Sequence, residues 1–400
     1  MSSTTTMIGD RRRQALERAG SARRHPTSRR DVRPATPPPV HFYVIAVVVT
    51  VFVLLGLVMV LSSSSVHEFH NDRSPFGIFL KQALWATLGV TGLIVAMRVP
   101  LHVWRRLAGP LLVGSCAAML LPLLPGIGRT VNGAHAWIGI GPLNLQPSEF
   151  LKLTVLLFCA SLLTTRQGEM ADLRRTLRPV AVVATVAAGL CLLQKDLGTA
   201  IVVGAIVMVV LFLAGTPLLP LLGVGAVGVA GATLFVVSSP RRLDRFTAFL
   251  DIAEHRDHLS YQTWQAMIAV AQGGVTGEGV GRGASNLGDF LPLAHSDFIF
   301  GVIGEELGMI GVVAVLGGFL VLAYAGMQVA LAAPDRFGLL LAGGVVGWLA
   351  VQTLINVGGV VGAMPVTGLT LPFFSAGGSS LFVTLCAVGL LLNVARNVRP

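Results

Sequence analysis

Ten apolar runs decide what this chain can fold into: residues 41–61, 77–97, 107–125, 148–165, 179–194, 198–214, 217–237, 298–326, 338–360 and 377–395. Most approach the roughly 20 residues that a helix needs to cross about 30 Å of hydrocarbon. In lipid every backbone N–H and C=O must be satisfied within the protein, and continuous runs of this length do so as helices. The expected fold is therefore all-α, a polytopic membrane bundle of about ten transmembrane helices. Only 12% of the residues are charged, against about 25% in soluble chains. The first run is too long for a signal-peptide core and no small-residue cleavage pattern follows it, so it reads as a retained span.

The net charge of +10 is explained by topology rather than by nucleic acid. Residues 1–40 are rich in Arg, Ser, Thr and Pro and too poor in apolar side chains to build a core, which predicts a disordered cytoplasmic tail. With that tail inside, alternation also places inside the loops carrying Arg98, Arg105 and Arg106, then Arg166, Arg174, Arg175 and Arg178, then Arg336, and finally the C-terminus, 396–400, with Arg396 and Arg399. Both termini are thus expected in the cytoplasm, flanking a membrane domain at 41–395. The connection 238–297 falls outside despite its arginines, and long loops escape the positive-inside bias. Within it, 261–271 reads as a short interfacial helix with Tyr261 and Trp264 at headgroup depth. Cys116, Cys159, Cys191 and Cys386 each lie in an apolar run without a close pair, which argues against disulfide or zinc chemistry.

Charges at the edges of apolar runs need a reason, because ionisable groups in lipid are costly and usually mark function. The stretch Leu291 to Gly308 (LPLAHSDFIFGVIGEELG) carries His295, Asp297, Glu305 and Glu306. If it is helical throughout, Asp297, Gly301, Gly304, Glu305 and Gly308 form one small polar face, with Glu305 about 12 Å beyond Asp297. Gln146-Pro147-Ser148-Glu149 starts the fourth run, with Lys152 three residues after Glu149. That pair reads either as a structural ion pair or as a cation held for an anionic ligand. Gln194-Lys195-Asp196-Leu197-Gly198-Thr199 is a polar break, a tight turn or part of a site, at the same membrane level. Asn356 to Ser380 is too rich in Gly and Pro to continue a helix, and its Ser379 is either a ligand contact or a helix cap. Gly273 to Gly283 lacks the spacing of a phosphate-binding loop, so close backbone packing is the expected use of its glycines. His67 with His70, and His255 with His258, read as solvated pairs.

Taken together, Asn132-Gly133 with Trp137, Gln146 to Lys152, Lys195 to Thr199, Tyr261-Gln262, Leu291 to Gly308 and Pro365 to Ser380 resemble, in order, the phrases of the SEDS family. These are the FtsW/RodA-type polytopic proteins of bacterial cell-wall synthesis, and Gly304 to Gly308 and the Arg-rich tail look most like the FtsW branch. Departures from the family phrases are Ala136 for Arg, Lys195 for Pro, Ile252 for Pro, Leu293 for Glu and Ser296 for Thr. The resemblance implies a SEDS-type bundle in the bacterial cytoplasmic membrane. It implies a peptidoglycan glycosyltransferase of cell division, polymerising lipid II at the outer face with inversion at the anomeric carbon. Asp297 would be the base, and Lys152, Arg245 and Lys195 the contacts to the leaving pyrophosphate. Gln146, Glu149, Asp196, His295 and Ser379 complete the expected substrate site. No cofactor is certain, and Mg²⁺ or Mn²⁺ is a candidate cation of unknown ligands. A class B penicillin-binding transpeptidase and other divisome proteins are the implied partners. The rival readings are a lipid II flippase and a non-catalytic scaffold.

Overall fold

The computed structural model describes residues 39–70, 74–131, 134–141, 143–166, 173–284 and 290–398. Residues 1–38, expected as a tail, lie outside them, as do Asn132, Gly133, Arg399 and the side chains of His67, His70 and Arg174. The helices are α1 (Val40–His70), α2 (Gly77–Arg98), α3 (Leu101–Ala118), α4 (Pro147–Thr165), α5 (Leu173–Leu193), α6 (Leu197–Leu213), α7 (Leu218–Val237), α8 (Pro240–Leu250), α9 (Tyr261–Gln272), α10 (Ile299–Leu331), α11 (Arg336–Val360) and α12 (Gly378–Asn397). Among the described residues nine helical segments are long and apolar enough to cross a membrane, and the apolar α6, at 17 residues, is a shorter tenth.

Helix starts follow local chemistry. Asp196 caps α6 by accepting from Thr199 N at 2.9 Å, Asp335 caps α11 by accepting from Gly338 N at 3.1 Å, and Pro147 takes the first position of α4. Small residues set the helix packing, as they must where lipid is as apolar as the side chains. Gly89 and Gly389 let α2 and α12 meet closely, and a Cβ on Gly389 would run into Leu93 O and lie 2.9 Å from Ala96 Cβ. Gly343, Gly344 and Gly347 of α11 face Leu213, Leu156 and Val209 of α6 and α4.

Two features differ from expectation. The connection between α3 and α4 folds as a three-stranded antiparallel sheet, β1 (Gly128–Val131), β2 (Ala134–Ile140) and β3 (Leu143–Leu145), pairing Gly128 with Ile138 and Ile138 with Leu145. The all-α class holds for the bundle, while this loop-length segment satisfies its backbone by pairing across short hairpins. The second difference is that Leu291 to Gly308 is not one helix. α10 begins at Ile299, after Asp297, and it breaks at Gly308, whose φ of 66° and ψ of −165° are open essentially to glycine alone. Residues 309–331 alone, at about 1.5 Å per residue, are long enough to cross the bilayer. Glu305 and Glu306 therefore belong to a separate segment, 299–307, and not to the spanning part of α10.

That segment is held by α9 and by the glycine-rich stretch behind it. A Cβ on Gly301 would sit 3.4 Å from Ala266 Cβ, and one on Gly304 2.8 Å from Val270 Cγ2. Glu278 N and Gly279 N donate to the carbonyls of Glu305 and Glu306 at 3.0 Å, and Met309 N and Ile310 N donate to Gly274 O and Val275 O at 2.9 and 3.2 Å. The glycines of 273–283 thus serve close backbone packing around the break. α9 matches the short helix expected at 261–271, but its Thr263, Ala266 and Ala269 are buried against protein.

Candidate functional site

Consecutive spanning helices alternate direction, so the turns β3–α4 and α5–α6, the entry to α10 and the α11–α12 loop all fall at one end of the bundle. Asp297 lies there, in the turn before α10. Three successive carbonyls hold it. His295 O accepts from Ala376 N at 2.8 Å, Ser296 O from Ser375 Oγ at 2.6 Å, and Asp297 O from Asn356 Nδ2 at 2.8 Å. The other Asn356 hydrogen bond goes to Leu369 O at 2.7 Å, and Gln82 Nε2 reaches Ser375 O at 2.9 Å. Segments distant in sequence are thereby fixed around one carboxylate.

Asp297 opens into a shallow recess with room for about one water molecule, lined also by Asn356, Gly359, Val360, Thr367 and Gly368. Burial pushes its carboxyl up to about 6, a hydrogen bond from Ser296 opposes that, and the negative charge of Asp196 adds to it. A carboxylate near pH 6 is largely ionised at neutral pH yet basic enough to take a proton, the balance a general base needs.

Asp196 is near but already engaged. Its two oxygens accept from Thr199 N and Oγ1, Gln146 Nε2 and Ser148 Oγ at 2.7–3.4 Å. Gln146 N donates to the buried Ser379 Oγ at 3.2 Å, so Gln146, Asp196 and Ser379 join the starts of α4, α6 and α12. Lys195, beside them, is exposed with φ of 63°, a value proline cannot take, so the turn is built differently from the family phrase that carries Pro there. Leu293, φ 61°, is the corner of the turn whose carbonyl accepts from Ser296 N at 2.9 Å. Nothing in the structure explains Leu there in place of Glu. Ala136 is buried in β2.

Lys152 has no exposed surface. Its Nζ lies 2.8 Å from Glu149 Oε2, 3.0 Å from Gln352 Oε1 and 5.3 Å from the Trp348 ring centre. Gln352 Nε2 donates to Thr370 O at 2.9 Å, and Thr370 shares a 2.9 Å hydroxyl contact with Ser380. The ion pair therefore underlies the loop that walls the recess. Arg245 is exposed on α8, a short helix that packs against α7 rather than against the recess. Glu305 and Glu306 are buried at the far end of 299–307; Ser62 Oγ donates to Glu306 Oε1 at 2.5 Å, and Glu305 lies against Gly283.

Asn356, Gln352 and Thr370 were not singled out from the sequence. They are uncharged residues in apolar or Gly-rich stretches, and only the fold brings them to Asp297 or Lys152. Among the described residues no three His, Cys, Asp or Glu side chains come together as a metal site.

The family model described as cell cycle protein, FtsW/RodA/SpoVE, matches residues 42–400. The chain is 40% identical over 356 residues to a Trichlorobacter lovleyi protein named probable peptidoglycan glycosyltransferase FtsW, covering 89% of this chain and 93% of that one. It is 38% identical to stage V sporulation protein E of Bacillus subtilis, covering 88% and 96%. Among solved structures, the rod shape determining protein RodA of Thermus thermophilus matches at 31% identity and a TM-score of 0.64, covering 89% and 97%. A chain from a peptidoglycan synthase complex that coordinates polymerization and crosslinking matches at 32% and 0.73, covering 88% and 97%.

Proposed function

The chain belongs to the FtsW/RodA/SpoVE family, and from that premise we propose that it is a peptidoglycan glycosyltransferase of cell division that polymerises lipid II, with Asp297 as its general base. The observation that carries the assignment is Asp297 itself, a carboxylate near pH 6, held by three consecutive backbone bonds at a recess. The acceptor sugar's 4-hydroxyl oxygen attacks the donor's anomeric carbon, and the bond from that carbon to the pyrophosphate oxygen breaks. The hydroxyl proton passes to Asp297, and the polyprenyl pyrophosphate leaves with the bonding electron pair. Displacement from the opposite face inverts an α donor to a β product without a covalent enzyme intermediate.

Charge on the leaving pyrophosphate calls for cations. Lys195, exposed beside Asp196, is able to meet it, whereas Arg245 stands on α8 away from the recess. Lys152 acts from beneath instead, holding Gln352 and, through it, the Thr370 wall. Asp196, with its oxygens taken by Thr199, Gln146 and Ser148, is a cap rather than a second catalytic acid. Among the described residues no three His, Cys, Asp or Glu side chains form a cage for Mg²⁺ or Mn²⁺; Asp297 would be the carboxylate to hold such an ion, which would supply positive charge toward the leaving group. In this reading both termini are cytoplasmic, on the positive-inside bias of the short loops, and the recess then faces outward with the long 238–298 connection.

The test is polymerisation of lipid II in detergent by the chain purified with a class B penicillin-binding transpeptidase, comparing wild type with Asp297→Asn at equal folded amount. Wild type makes polymer and the variant loses at least a hundredfold in rate. Polymer from the variant at the wild-type rate overturns the assignment, and lipid movement in liposomes without polymer favours the flippase.

A further inference from the structure

We propose that Asn356 is a positioning residue for Asp297 and that the two together read neighbouring hydroxyls of the acceptor sugar. This rests on the reading of Asp297 as the base. Asn356 stands in the last turn of α11 and is 5% exposed. Both partners of its Nδ2, Asp297 O and Leu369 O, are carbonyl oxygens that only accept, so the amide can be oriented in one way. One side chain thus ties the backbone of the base to the wall of the recess.

The same orientation commits the other end of the amide. Asn356 Oδ1 is buried and has no hydrogen-bond partner among the described residues. Leaving a buried amide oxygen without a donor is unfavourable, and such atoms in native proteins call for a specific explanation. Asn356 and Asp297 line the same recess. Gly368 lines it too, with φ of 72°, and even an added Cβ would come no closer than 3.7 Å to Asp297 Oδ2, so the carboxylate is uncrowded on that side.

Two neighbouring ring hydroxyls presented at the mouth of the recess match this pair chemically. The hydroxyl that reacts gives its proton to the carboxylate, and the hydroxyl on the adjacent ring carbon is a donor suited to an amide oxygen beside it. Two acceptors on two adjacent hydroxyls fix the ring's rotation as well as its distance, which is what in-line attack requires. A water molecule would satisfy Oδ1 but would not make the enzyme sensitive to that second hydroxyl.

The experiment uses the complex with its transpeptidase, and lipid II beside an analogue that lacks the 3-hydroxyl of the acceptor sugar. Wild type uses the analogue roughly tenfold less well, through a higher KM and a lower kcat. Asn356→Ala loses about 10- to 100-fold in kcat and no longer distinguishes the two substrates. Asn356→Ser serves the same comparison if the alanine variant fails to fold. Equal use of both substrates by wild type overturns the diol reading without any variant. Unchanged kcat in a folded variant, or discrimination retained there, overturns the role of Asn356. A wild type that makes no polymer at all refutes the proposed function instead, and this inference with it.

Discussion

Replacing Lys152 with Met keeps the length of the side chain and removes its charge. Glu149 is 4% exposed and Lys152 fully buried, so the variant leaves a carboxylate facing a Gln352 oxygen in the interior with no cation near it. Breaking a buried pair from one side costs about 3–5 kcal/mol, because the remaining charge is neither solvated nor paired. For a chain of this size that corresponds to a fall in melting temperature of about 4–6 °C. Glu149→Gln is expected to cost a similar amount. The double variant Glu149→Gln/Lys152→Met buries no unpaired charge, and so recovers roughly 1–3 kcal/mol of what the single losses sum to. Melting of the detergent-purified protein, followed by size-exclusion fluorescence, measures all four corners, with lipid II polymerisation assayed on the folded fraction. A Lys152→Met protein that melts like wild type yet makes no polymer would refute this account and return Lys152 to direct contact with the substrate.

Because Asp297 must be ionised to accept a proton, kcat/KM should be level above about pH 7 and fall tenfold per unit below pH 6, a limb absent from any residual Asp297→Asn activity. The same raised value has a stability consequence. The protonated form is the one the fold favours, so this contribution is complete below about pH 4 and is lost as pH rises through 6. Asp297→Asn should therefore melt above wild type at pH 8 and equal to it at pH 3.5. Gly308→Ala places a Cβ against Gly277 N and 2.6 Å from Val275 O at a φ of 66°, and is expected to abolish accumulation of folded protein in the membrane, whereas Gly317→Ala, with open space around it, is tolerated. Lys195→Gln, at an exposed position beside Asp196, should raise the KM for lipid II severalfold with no change in melting temperature.

Much of this was legible in the chain because lipid makes the rules simple. Where water is absent, a run of 20 apolar residues has essentially one backbone solution, so the spans expected at 77–97 and 338–360 appear as Gly77–Arg98 and Arg336–Val360. Asp297 stood out for the same reason, as a charge at the edge of such a run. Residues 128–145 were not legible as a sheet, since strands of three to seven residues outside the membrane leave little periodicity to read. Gly308 looked like one more small residue on a helical face, and its left-handed φ is set by the backbone of 274–279 pairing on either side of it.

What the sequence by itself determined is the membrane bundle, its order of spans and the identity of a candidate base, because burial of apolar length and the cost of charge in lipid are properties of local composition. Only the tertiary structure decided which residues surround that base. Lys152 and Asp196, read alike as polar groups at one level, part company once one is sealed in an ion pair and the other is used up as a cap. Asn356, unremarkable in an apolar helix, becomes the residue tied to Asp297. Hydrogen bonds between residues 59 positions apart depend on how helices pack, and no local pattern encodes that.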